Sequence, residues 1–457
     1  MRSLLFLQCA VSYIYPAERL FEEADMAADT SLELRGALIY QILVRDYSQE
    51  GTFDSVTADL PRIRSLGSDI VHLLPIHPIG IKNRKGTYGS PYAIRDYRAI
   101  DPAYGNEQQL KRLIDKAHAL GMKVIMDVVY NHTSPDSDLF QRNPEWFYDK
   151  GGRPGNKVGE WWDVIDLDFE RGGEGLEAEL IANLVFWARF GFDGFRCDVA
   201  SLVPKGFWLK ARKAVFEVKP GAIWLAESVH ADFIKQLRRQ GFIAHSDSEL
   251  YDAFDICYEY DVHDRFHDHA YRKGSLKAYK QALGLQEAIY PANYVKLRFI
   301  GNHDFERPAA LFRERGVLEA WTAFTFFNKG AALVYMGDET LTDHRPSLFE
   351  KEPIDWSKTD ATHVELIRML AAMKKMPYFV ESSYFEVAED NDEDSIVAFH
   401  ELGGKRLYGI FNVGRGRQEA ALDVPDGEYA PVIGGKTVVS SGKAKTDSRF
   451  SAFEVTV

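Results

Sequence analysis

Three acidic side chains stand directly after short apolar runs that are typical of buried strands. They are Asp198, Glu227 and Asp304. Arg196 lies two positions before Asp198, so both side chains point to the same face of an extended strand. A charge on a buried face is costly unless it is paired or takes part in chemistry. One acid beside an arginine is often a structural ion pair, but three acids from three strands indicate an active site.

The reaction that suits such a set of carboxylates is glycoside hydrolysis. One carboxylic acid protonates the leaving oxygen while a carboxylate acts on the other face of the sugar, and retaining enzymes hold the pair about 5–5.5 Å apart. We expect Arg196 to keep Asp198 ionised by charge proximity, which makes Asp198 a nucleophile. Glu227 must begin protonated, a state that burial and neighbouring carboxylates favour. His132 and His303 can donate hydrogen bonds to sugar hydroxyls.

The elements that must position these residues follow a repeating pattern from about residue 38. Eight short apolar runs alternate with helical patterns, and they cover residues 39–44, 70–74, 123–129, 194–199, 223–226, 254–258, 296–300 and 332–335. This alternation predicts a parallel α/β sheet buried on both faces. A doubly wound open sheet is the alternative. Because eight repeats favour closure and no Gly-rich phosphate turn follows the first run, we predict a (β/α)₈ TIM barrel.

The chain is predicted to contain three further segments besides the barrel. The barrel itself is assigned to residues 38–131 and 174–377, after an N-terminal extension at 1–37. Residues 132–173 form a short insertion after the third strand, with Pro, Gly, Asp and Trp clusters but no helical period. An irregular segment of this length inside a barrel is usually functional. Residues 378–457 contain short strands separated by turn signals, which predicts an antiparallel β-sandwich.

Charge and hydropathy exclude some partners. The formal net charge is −13 and the isoelectric point is about 5.5. Such a surface repels nucleic acid and anionic lipid, so we predict neither as a partner, whereas a neutral sugar needs no opposite charge. No run after the N-terminus reaches the roughly 18 apolar residues of a membrane span.

The number of cysteines and the N-terminal residues give evidence on where in the cell the protein is found. The three cysteines, Cys9, Cys197 and Cys257, are too few and too scattered for a disulfide framework or a zinc site. Residues 4–14 are mostly apolar, but Gln8 interrupts them and no clean cleavage site follows. We predict a cytoplasmic protein, and secretion through a signal peptide is the alternative.

Four segments resemble, in order and spacing, the signature regions of the α-amylase family, glycoside hydrolase family 13. They are residues 127–132, residues 194–198, Glu227 at a strand end, and residues 302–304. The resemblance extends over nearly the whole chain from about residue 38. It implies a retaining hydrolase that cleaves α-1,4-glucosidic bonds of starch-like glucans or maltooligosaccharides by double displacement, on a barrel with a short B domain.

The resemblance also implies a role for each candidate residue. Asp198 is the nucleophile, Glu227 the general acid/base, and Asp304 the carboxylate that holds sugar hydroxyls in the transition state. The substrate-binding residues that it implies are Tyr92, which stacks under the cleaved glucose, Asp127, His132, Arg196 and His303.

Departures from the family pattern affect two expectations, whether a calcium ion is bound and which type of glycosidic bond is cleaved. Many calcium-dependent members have a Lys-His pair after the nucleophile, but here Ser201 and Leu202 stand at those positions. Asn131 remains at the position of another calcium ligand, while the loop at residues 46–51 lacks the alternating acids of a calcium loop. We predict that no cofactor is required and that no residue serves as a metal ligand, and a bound calcium ion is the alternative. The residue directly after the nucleophile, Val199, resembles the one that members acting on α-1,6 bonds have at this position.

Three alternatives to simple hydrolysis follow from these residues. An α-glucan transglycosylase or isomerase shares the covalent intermediate, and so does an α-1,6-active glucosidase. A non-catalytic barrel that senses sugars would usually lack a catalytic carboxylate, and none is missing here. His72, His77 and His230 lack metal-ligand spacing, so we predict that they are hydrogen-bonded structural residues.

Overall fold

The computed structural model describes residues 29–414 and 419–456 of the 457-residue chain. The apolar run at residues 4–14, on which the predicted location rests, lies outside the described residues, and so does Cys9. Most of the predicted N-terminal extension also falls outside them. Cys197 and Cys257 are buried free thiols.

In the described part of the chain, ten strands precede the C-terminal region. Eight of them form the barrel, and β4 and β5 belong to the insertion: β1 Leu38–Ile42, β2 Ile70–Leu73, β3 Lys123–Val128, β4 His132–Thr133, β5 Ile165–Asp166, β6 Gly194–Cys197, β7 Ile223–Ala226, β8 Ile256–Tyr258, β9 Val295–Arg298 and β10 Ala331–Tyr335. The eight barrel strands are all parallel and close in the order β1-β10-β9-β8-β7-β6-β3-β2. The predicted closed barrel is therefore confirmed.

Helices follow the barrel strands and cover their outer face. They are α1 Val44–Tyr47, α2 Phe53–Ser65, α3 Glu107–Ala119, α4 Asp138–Arg142, α5 Phe169–Phe190, α6 Lys205–Phe216, α7 Ala231–Arg239, α8 Asp247–Leu250, α9 Tyr260–Ala270, α10 Leu276–Ile289, α11 Pro308–Leu311, α12 Arg315–Phe327, α13 Ala361–Met373 and α14 Pro377–Val380. Short 3₁₀ segments lie at Leu32–Gly36, Pro144–Trp146, Ala200–Leu202, Asp338–Thr340 and Trp356–Lys358. Within the described ranges, no helix is both long and apolar enough to cross a lipid bilayer.

Local sequence explains where these elements begin. Asn106 caps α3 in a reciprocal arrangement with Gln109. Asp168 caps α5 by accepting the N–H groups of residues 170 and 171, so the last residues of the predicted irregular insertion are helical. The helix is interrupted at Gly173, whose φ of 48° is left-handed. A strong cap placed just before a glycine produces a short helical turn that hydrophobic period does not reveal.

Two barrel strands, β6 and β7, approach each other closely at the start of β6. A Cβ atom at Gly194 would lie 2.1 Å from the Ile223 carbonyl oxygen, so only glycine fits at the start of β6. Every barrel strand is buried along its length except at Lys123. Each fully buried aliphatic side chain contributes about 1.5–3 kcal/mol, and a core of this size offsets the cost of placing charges at one mouth of the barrel.

The insertion crosses the top of the barrel between β3 and β6. Its two short strands pair antiparallel, with His132 opposite Asp166 and Thr133 opposite Ile165. This pairing carries the backbone away from β3 directly after the strand end and returns it to the start of α5. His132 is therefore held at the edge of the barrel mouth by backbone pairing.

The C-terminal region is a pair of antiparallel sheets. Its strands are β11 Tyr384–Val387, β12 Ser395–Leu402, β13 Lys405–Asn412, β14 Glu419–Ala421, β15 Gly427–Tyr429, β16 Ile433–Gly434, β17 Thr437–Ser440, β18 Lys443–Thr446 and β19 Phe450–Thr456. One sheet has the order β11-β12-β13-β19-β16 and the other β14-β18-β17-β15. A separate apolar cluster, which includes Ile410, Val439 and Phe453, contains residues of both sheets, as expected for the predicted sandwich.

Candidate active site

An open cleft of about 540 Å³ lies at the C-terminal ends of the barrel strands. Six of the eight predicted site residues line it, namely Tyr92, His132, Asp198, Glu227, His303 and Asp304. The other two, Asp127 and Arg196, are fully buried and contact residues of that cleft. The structure thus brings all eight predicted residues together.

Arg196, on β6, joins three carboxylates with one guanidinium group. Its Nη1 atom lies 2.9 Å from Asp198 Oδ1 and 3.2 Å from Asp127 Oδ1, and its Nη2 atom lies 2.9 Å from Glu227 Oε1. A guanidinium is planar and rigid, so it fixes the carboxylates on its two ends relative to each other. The rings of Tyr92 and Tyr258 lie 5.6 and 5.3 Å from the guanidinium carbon and stabilise its charge further.

A strained turn after Asp198 completes the link to Glu227. Val199 has a φ of 34°, a left-handed conformation that is unusual for a β-branched residue. In this conformation its N–H donates a 2.7 Å hydrogen bond to Glu227 Oε2. Strain of this kind costs about 1–3 kcal/mol and is typical of active sites. The turn therefore places the two carboxylates against each other and leaves little of either side chain exposed, 8% and 9%.

The protonation of this pair differs from the expectation that Arg196 keeps Asp198 ionised. Burial raises the pKa of Asp198 well above its usual range, and the nearby carboxylate of Glu227 raises it further, whereas Arg196 opposes both effects. One guanidinium that already neutralises Asp127 does not compensate two more buried carboxylates. Burial and the charge of Glu227 thus favour a proton at the Asp198 end of this site, and that proton is shared with the adjacent acid as one unit.

This shared proton predicts a particular pH dependence. The reaction needs one proton on the pair, and a raised pKa means that this proton is retained above the usual carboxyl range. We expect kcat/KM for a neutral oligosaccharide to stay high above the pKa of a free carboxyl and to fall only as the pH rises through the raised pKa. A pH–rate profile measures this. A fall that begins directly above the pKa of a free carboxyl would contradict it.

A closed ring of hydrogen bonds lies beneath the cleft. Tyr92 donates to Asp127 Oδ2 at 2.8 Å, and its hydroxyl lies 2.6 Å from His303 Nε2. Asp127 Oδ1 lies 3.2 Å from His72 Nε2. Gln41 closes the ring, because its amide lies 3.4 Å from His72 Nδ1 and 3.3 Å from His303 Nδ1. All five side chains are buried, so the ring sets the positions of Tyr92 and His303 at the floor of the cleft.

Two members of this ring were not recognised as site residues from the sequence. The sequence predicts only a hydrogen-bonded structural role for His72, and it makes no prediction for Gln41. Both lie inside apolar strand runs, at β2 and β1, and a single polar residue there carries no spacing signal. One available clue was their position, because a buried polar residue on a barrel strand requires a partner inside the barrel.

Removal of the Gln41 amide should lower both the stability and the activity of the enzyme. In Gln41→Met the side-chain volume is kept, but His72 and His303 each lose a hydrogen-bond partner in a buried setting. A buried polar group without a partner costs about 1–3 kcal/mol. We therefore expect the free energy of unfolding in urea to fall by about 2 kcal/mol and kcat/KM to fall about tenfold. A variant with unchanged stability and activity would show that the ring has no such role.

The third acid of the cleft is Asp304, in the loop after β9. Its Oδ2 atom lies 3.1 Å from His303 Nε2, and its side chain is 35% exposed to the cleft. Burial favours the neutral form, but His303 and Arg196 outweigh it and lower the pKa of Asp304. Asp304 is therefore ionised and faces the cleft, which suits a carboxylate that accepts hydrogen bonds from sugar hydroxyls.

His132 occupies the edge of the cleft between β3 and the insertion. Its Nε2 atom lies 3.8 Å from Asp198 Oδ2, and its ring packs 5.4 Å from the ring of Trp161. Burial, with a contribution from Lys85, lowers the pKa of His132 to about 3. His132 is therefore neutral at physiological pH and acts through hydrogen bonds rather than through charge.

Several residues of the cleft rim come from loops that the sequence patterns did not single out. They lie after β2, in the insertion and after β10, and they include Lys85, Trp161, Asp163, Arg345 and Phe349. None of them ends a strand, so no alternation or motif marks them. Tertiary packing alone brings these three loops to one cleft.

The residues at the implied calcium position do not fit that ion. Calcium takes six to eight oxygen ligands, but the side chain of Asn131 turns its amide nitrogen to His132 Nδ1 at 3.1 Å, and the backbone carbonyl of Asn131 accepts the N–H of Leu167. Burial raises the pKa of Asp166 to about 6, and its Oδ2 atom accepts the N–H of Lys157 at 2.8 Å. Across residues 29–414 and 419–456, no three acidic, His or Cys side chains form a group that could hold a metal.

The fold and the site together define a class of protein. A closed parallel barrel that presents two linked carboxylates and a third acid in one cleft is the architecture of a glycosidase. The family model of the alpha amylase catalytic domain matches residues 13–374, and that of the bacterial alpha amylase C-terminal domain matches residues 386–449. The chain is thus an enzyme that belongs to the α-amylase family.

Solved structures and curated proteins show the same relationship. An alpha-amylase from Lactobacillus plantarum is 42% identical, with a TM-score of 0.88 over 93% of this chain and 100% of that chain. The maltogenic alpha-amylase AmyB from Thermotoga neapolitana is 32% identical, with a TM-score of 0.80 over 93% of this chain and 99% of that one. An alpha-1,4-glucan:maltose-1-phosphate maltosyltransferase from Arcanobacterium haemolyticum is 33% identical over 201 residues, which are 39% of this chain and 28% of that protein. The chain thus spans less than a third of the length of this curated relative.

Proposed function

We propose that the chain is a retaining hydrolase of α-1,4-glucosidic bonds in starch-like glucans or maltooligosaccharides. The observation that carries the proposal is the link between Asp198 and Glu227 through Arg196, with Asp304 lining the same cleft. Two carboxylates fixed beside each other are what double displacement requires. The solved structures at 42% and 32% identity, both named alpha-amylases, support the same substrate class.

In the first step, Asp198 attacks the anomeric carbon while Glu227 donates its proton to the leaving glycosidic oxygen. The single proton of the pair must therefore be on Glu227 when the sugar is bound. Binding of the sugar brings the leaving oxygen to Glu227, and Arg196 stabilises the Asp198 carboxylate that then acts. The bond from the anomeric carbon to oxygen breaks, and a covalent ester to Asp198 forms.

In the second step, Glu227 acts as a base and removes a proton from water, which attacks the anomeric carbon and releases Asp198. Two inversions give net retention of configuration. Asp304 accepts hydrogen bonds from hydroxyls of the distorted sugar, and Tyr92 lies beneath it. Because these groups are held in place by buried partners, they need little reorganisation during the reaction.

Transfer from a sugar phosphate is the second candidate, because the curated relative is named for maltose 1-phosphate. A phosphate group needs cations that have no other partner. Here Lys85 is paired with Asp163 at 2.7 Å, and the buried guanidinium of Arg196 is shared among three acids. Four acids line the cleft against Lys85 and Arg345. This balance favours a neutral glucan over a phosphorylated one.

Product analysis tests the proposal. The enzyme is incubated with starch, maltotriose, isomaltose and pullulan, and separately with maltose 1-phosphate plus a glucan acceptor. Hydrolysis gives one new reducing end for each bond cleaved, in the α configuration by NMR. Chain extension from maltose 1-phosphate, without any release of reducing ends from starch or maltotriose, would replace hydrolysis by transfer. Cleavage of isomaltose alone would indicate an α-1,6-active glucosidase.

We further propose that the enzyme needs no calcium. Because the donor set around Asn131 and Asp166 does not fit that ion, chelation should remove nothing that the fold requires. We expect turnover and the thermal midpoint to be unchanged after dialysis against EDTA. A fall in the midpoint that added calcium restores would overturn this expectation.

The predicted cytoplasmic location also remains a proposal.

A further inference from the structure

Two aromatic side chains at or beside the rim of the cleft remain exposed to solvent. Trp162 is 54% exposed and Phe349 is 36% exposed. They lie on different loops, Trp162 in the insertion and Phe349 after β10. Large exposed rings grouped at the mouth of a cleft mark a surface that a ligand covers. We propose that Trp162 and Phe349 form an outer platform on which further glucose units of a long α-glucan bind, an inference that rests on the proposed function.

The ammonium group of Lys85 contacts both rings. Its Nζ atom lies 5.2 Å from the centroid of the Trp162 ring and 5.8 Å from that of Phe349. The same atom lies 2.7 Å from Asp163 Oδ1 and donates to the Glu160 carbonyl at 3.2 Å. Lys85 thus connects the loop after β2 to both other loops. A cation on the ring faces also fixes their positions before the ligand arrives.

The backbone around Lys85 is fitted to this arrangement. Gly86 has a φ of 62°, and a Cβ atom there would lie 2.7 Å from the Phe349 Cβ atom. The N–H of Tyr88 donates to the Phe349 carbonyl at 2.9 Å, and the N–H of Thr87 donates to Glu350 Oε1 at 3.0 Å. Only glycine permits this close approach. The platform is therefore a built surface that three cross-linked loops hold together.

Continuity with the cleft identifies the occupant. Lys85, Asp163 and Phe349 line the same cleft as Asp198 and Glu227, so a chain that leaves the catalytic position passes over them. A cleft of about 540 Å³ holds a short oligosaccharide and not a long one. Apolar ring faces bind the apolar faces of pyranose rings, and the Lys85–Asp163 pair offers hydrogen bonds to hydroxyls.

Binding of maltoheptaose and maltotriose by titration calorimetry tests the platform independently of turnover. The measurements use an Asp198→Asn background so that the sugars are not consumed. We expect Trp162→Ala and Phe349→Ala each to raise the Kd of maltoheptaose about three- to tenfold. The Kd of maltotriose should change by less than about twofold, so that the ratio of the two constants shifts. Trp162→Tyr should restore most of the affinity because it keeps a ring.

Tyr384→Ala is the matched control. Tyr384 is 46% exposed but lies on β11 in the C-terminal sheets, so its removal should leave both constants unchanged. If Trp162→Ala raises the Kd of both sugars equally, or changes neither Kd, the proposed platform is wrong. If the wild-type enzyme releases no sugar from starch or maltotriose, the proposed hydrolysis fails. The calorimetric ratio still decides the platform in that case.

Discussion

Asp198→Ala should lower kcat for a maltooligosaccharide by roughly 10⁴- to 10⁶-fold, because it removes the atom that forms the covalent bond. Arg196 would keep Asp127 and Glu227 as partners, so the fold should remain intact. The measurement is steady-state release of reducing sugar, with circular dichroism to check folding. Asp232→Ala, which replaces a carboxylate that is 90% exposed on α7, serves as the control and should be fully active.

A small anion separates the loss of a nucleophile from a general loss of structure. With a maltosyl fluoride as substrate, no proton donor is needed, and azide can enter the space left by the missing carboxylate. Its nitrogen attacks the anomeric carbon from the face that Asp198 occupied, and fluoride leaves. One inversion then gives the β-azide. Recovery of activity with an α-azide product would assign the nucleophile to another residue.

The raised pKa of Asp198 also predicts an effect on stability. A group that binds its proton more tightly when folded stabilises the fold fully below its unfolded pKa, and this contribution is lost as the pH rises through the folded pKa. The wild type should therefore lose stability over that window, whereas Asp198→Ala should not. Thermal midpoints measured at acidic and at mildly alkaline pH test this. A difference between the two proteins that stays constant with pH would contradict the raised pKa.

Glu227→Ala should give the second largest loss, about 10²- to 10⁴-fold in kcat/KM for maltooligosaccharides. A sugar hydroxyl is a poor leaving group without a proton, so the first step slows most. Maltosyl fluoride, whose leaving group needs no proton, should lose far less. A comparison of the two substrates measures this selectivity. Glu428→Ala, at a carboxylate that is 68% exposed in the C-terminal sheets, is the control and should match the wild type.

The stereochemistry of rescue distinguishes this variant from Asp198→Ala. In Glu227→Ala the covalent ester to Asp198 still forms from maltosyl fluoride, but no base activates water. Azide attacks that ester and gives the α-azide after two inversions. Opposite products from the two variants would establish the roles of both acids. Identical products from both would exclude the assignment made here.

The amino-acid sequence by itself determined the barrel and its principal acids. Eight apolar runs alternate with helical patterns, and parallel strands in a closed barrel place all their carboxyl ends on one face. Asp198 and Glu227, which directly follow two strands, must therefore lie on the same face, and so must the loop after β9 that carries Asp304. The spacing of Arg196 and Asp198 placed both on one face of β6, since side chains alternate along a strand.

Only the tertiary structure decided which other residues join the site and where its proton resides. Gln41 and His72 lie within apolar strands, and Lys85 and Phe349 lie on loops, so neither periodicity nor motif marks them. Their contacts arise from strand order and loop packing, which depend on residues far apart in the chain. The pKa of Asp198 likewise depends on burial and on the charges of Glu227 and Arg196 together. Burial and distance are properties of the folded chain, and no local pattern contains them.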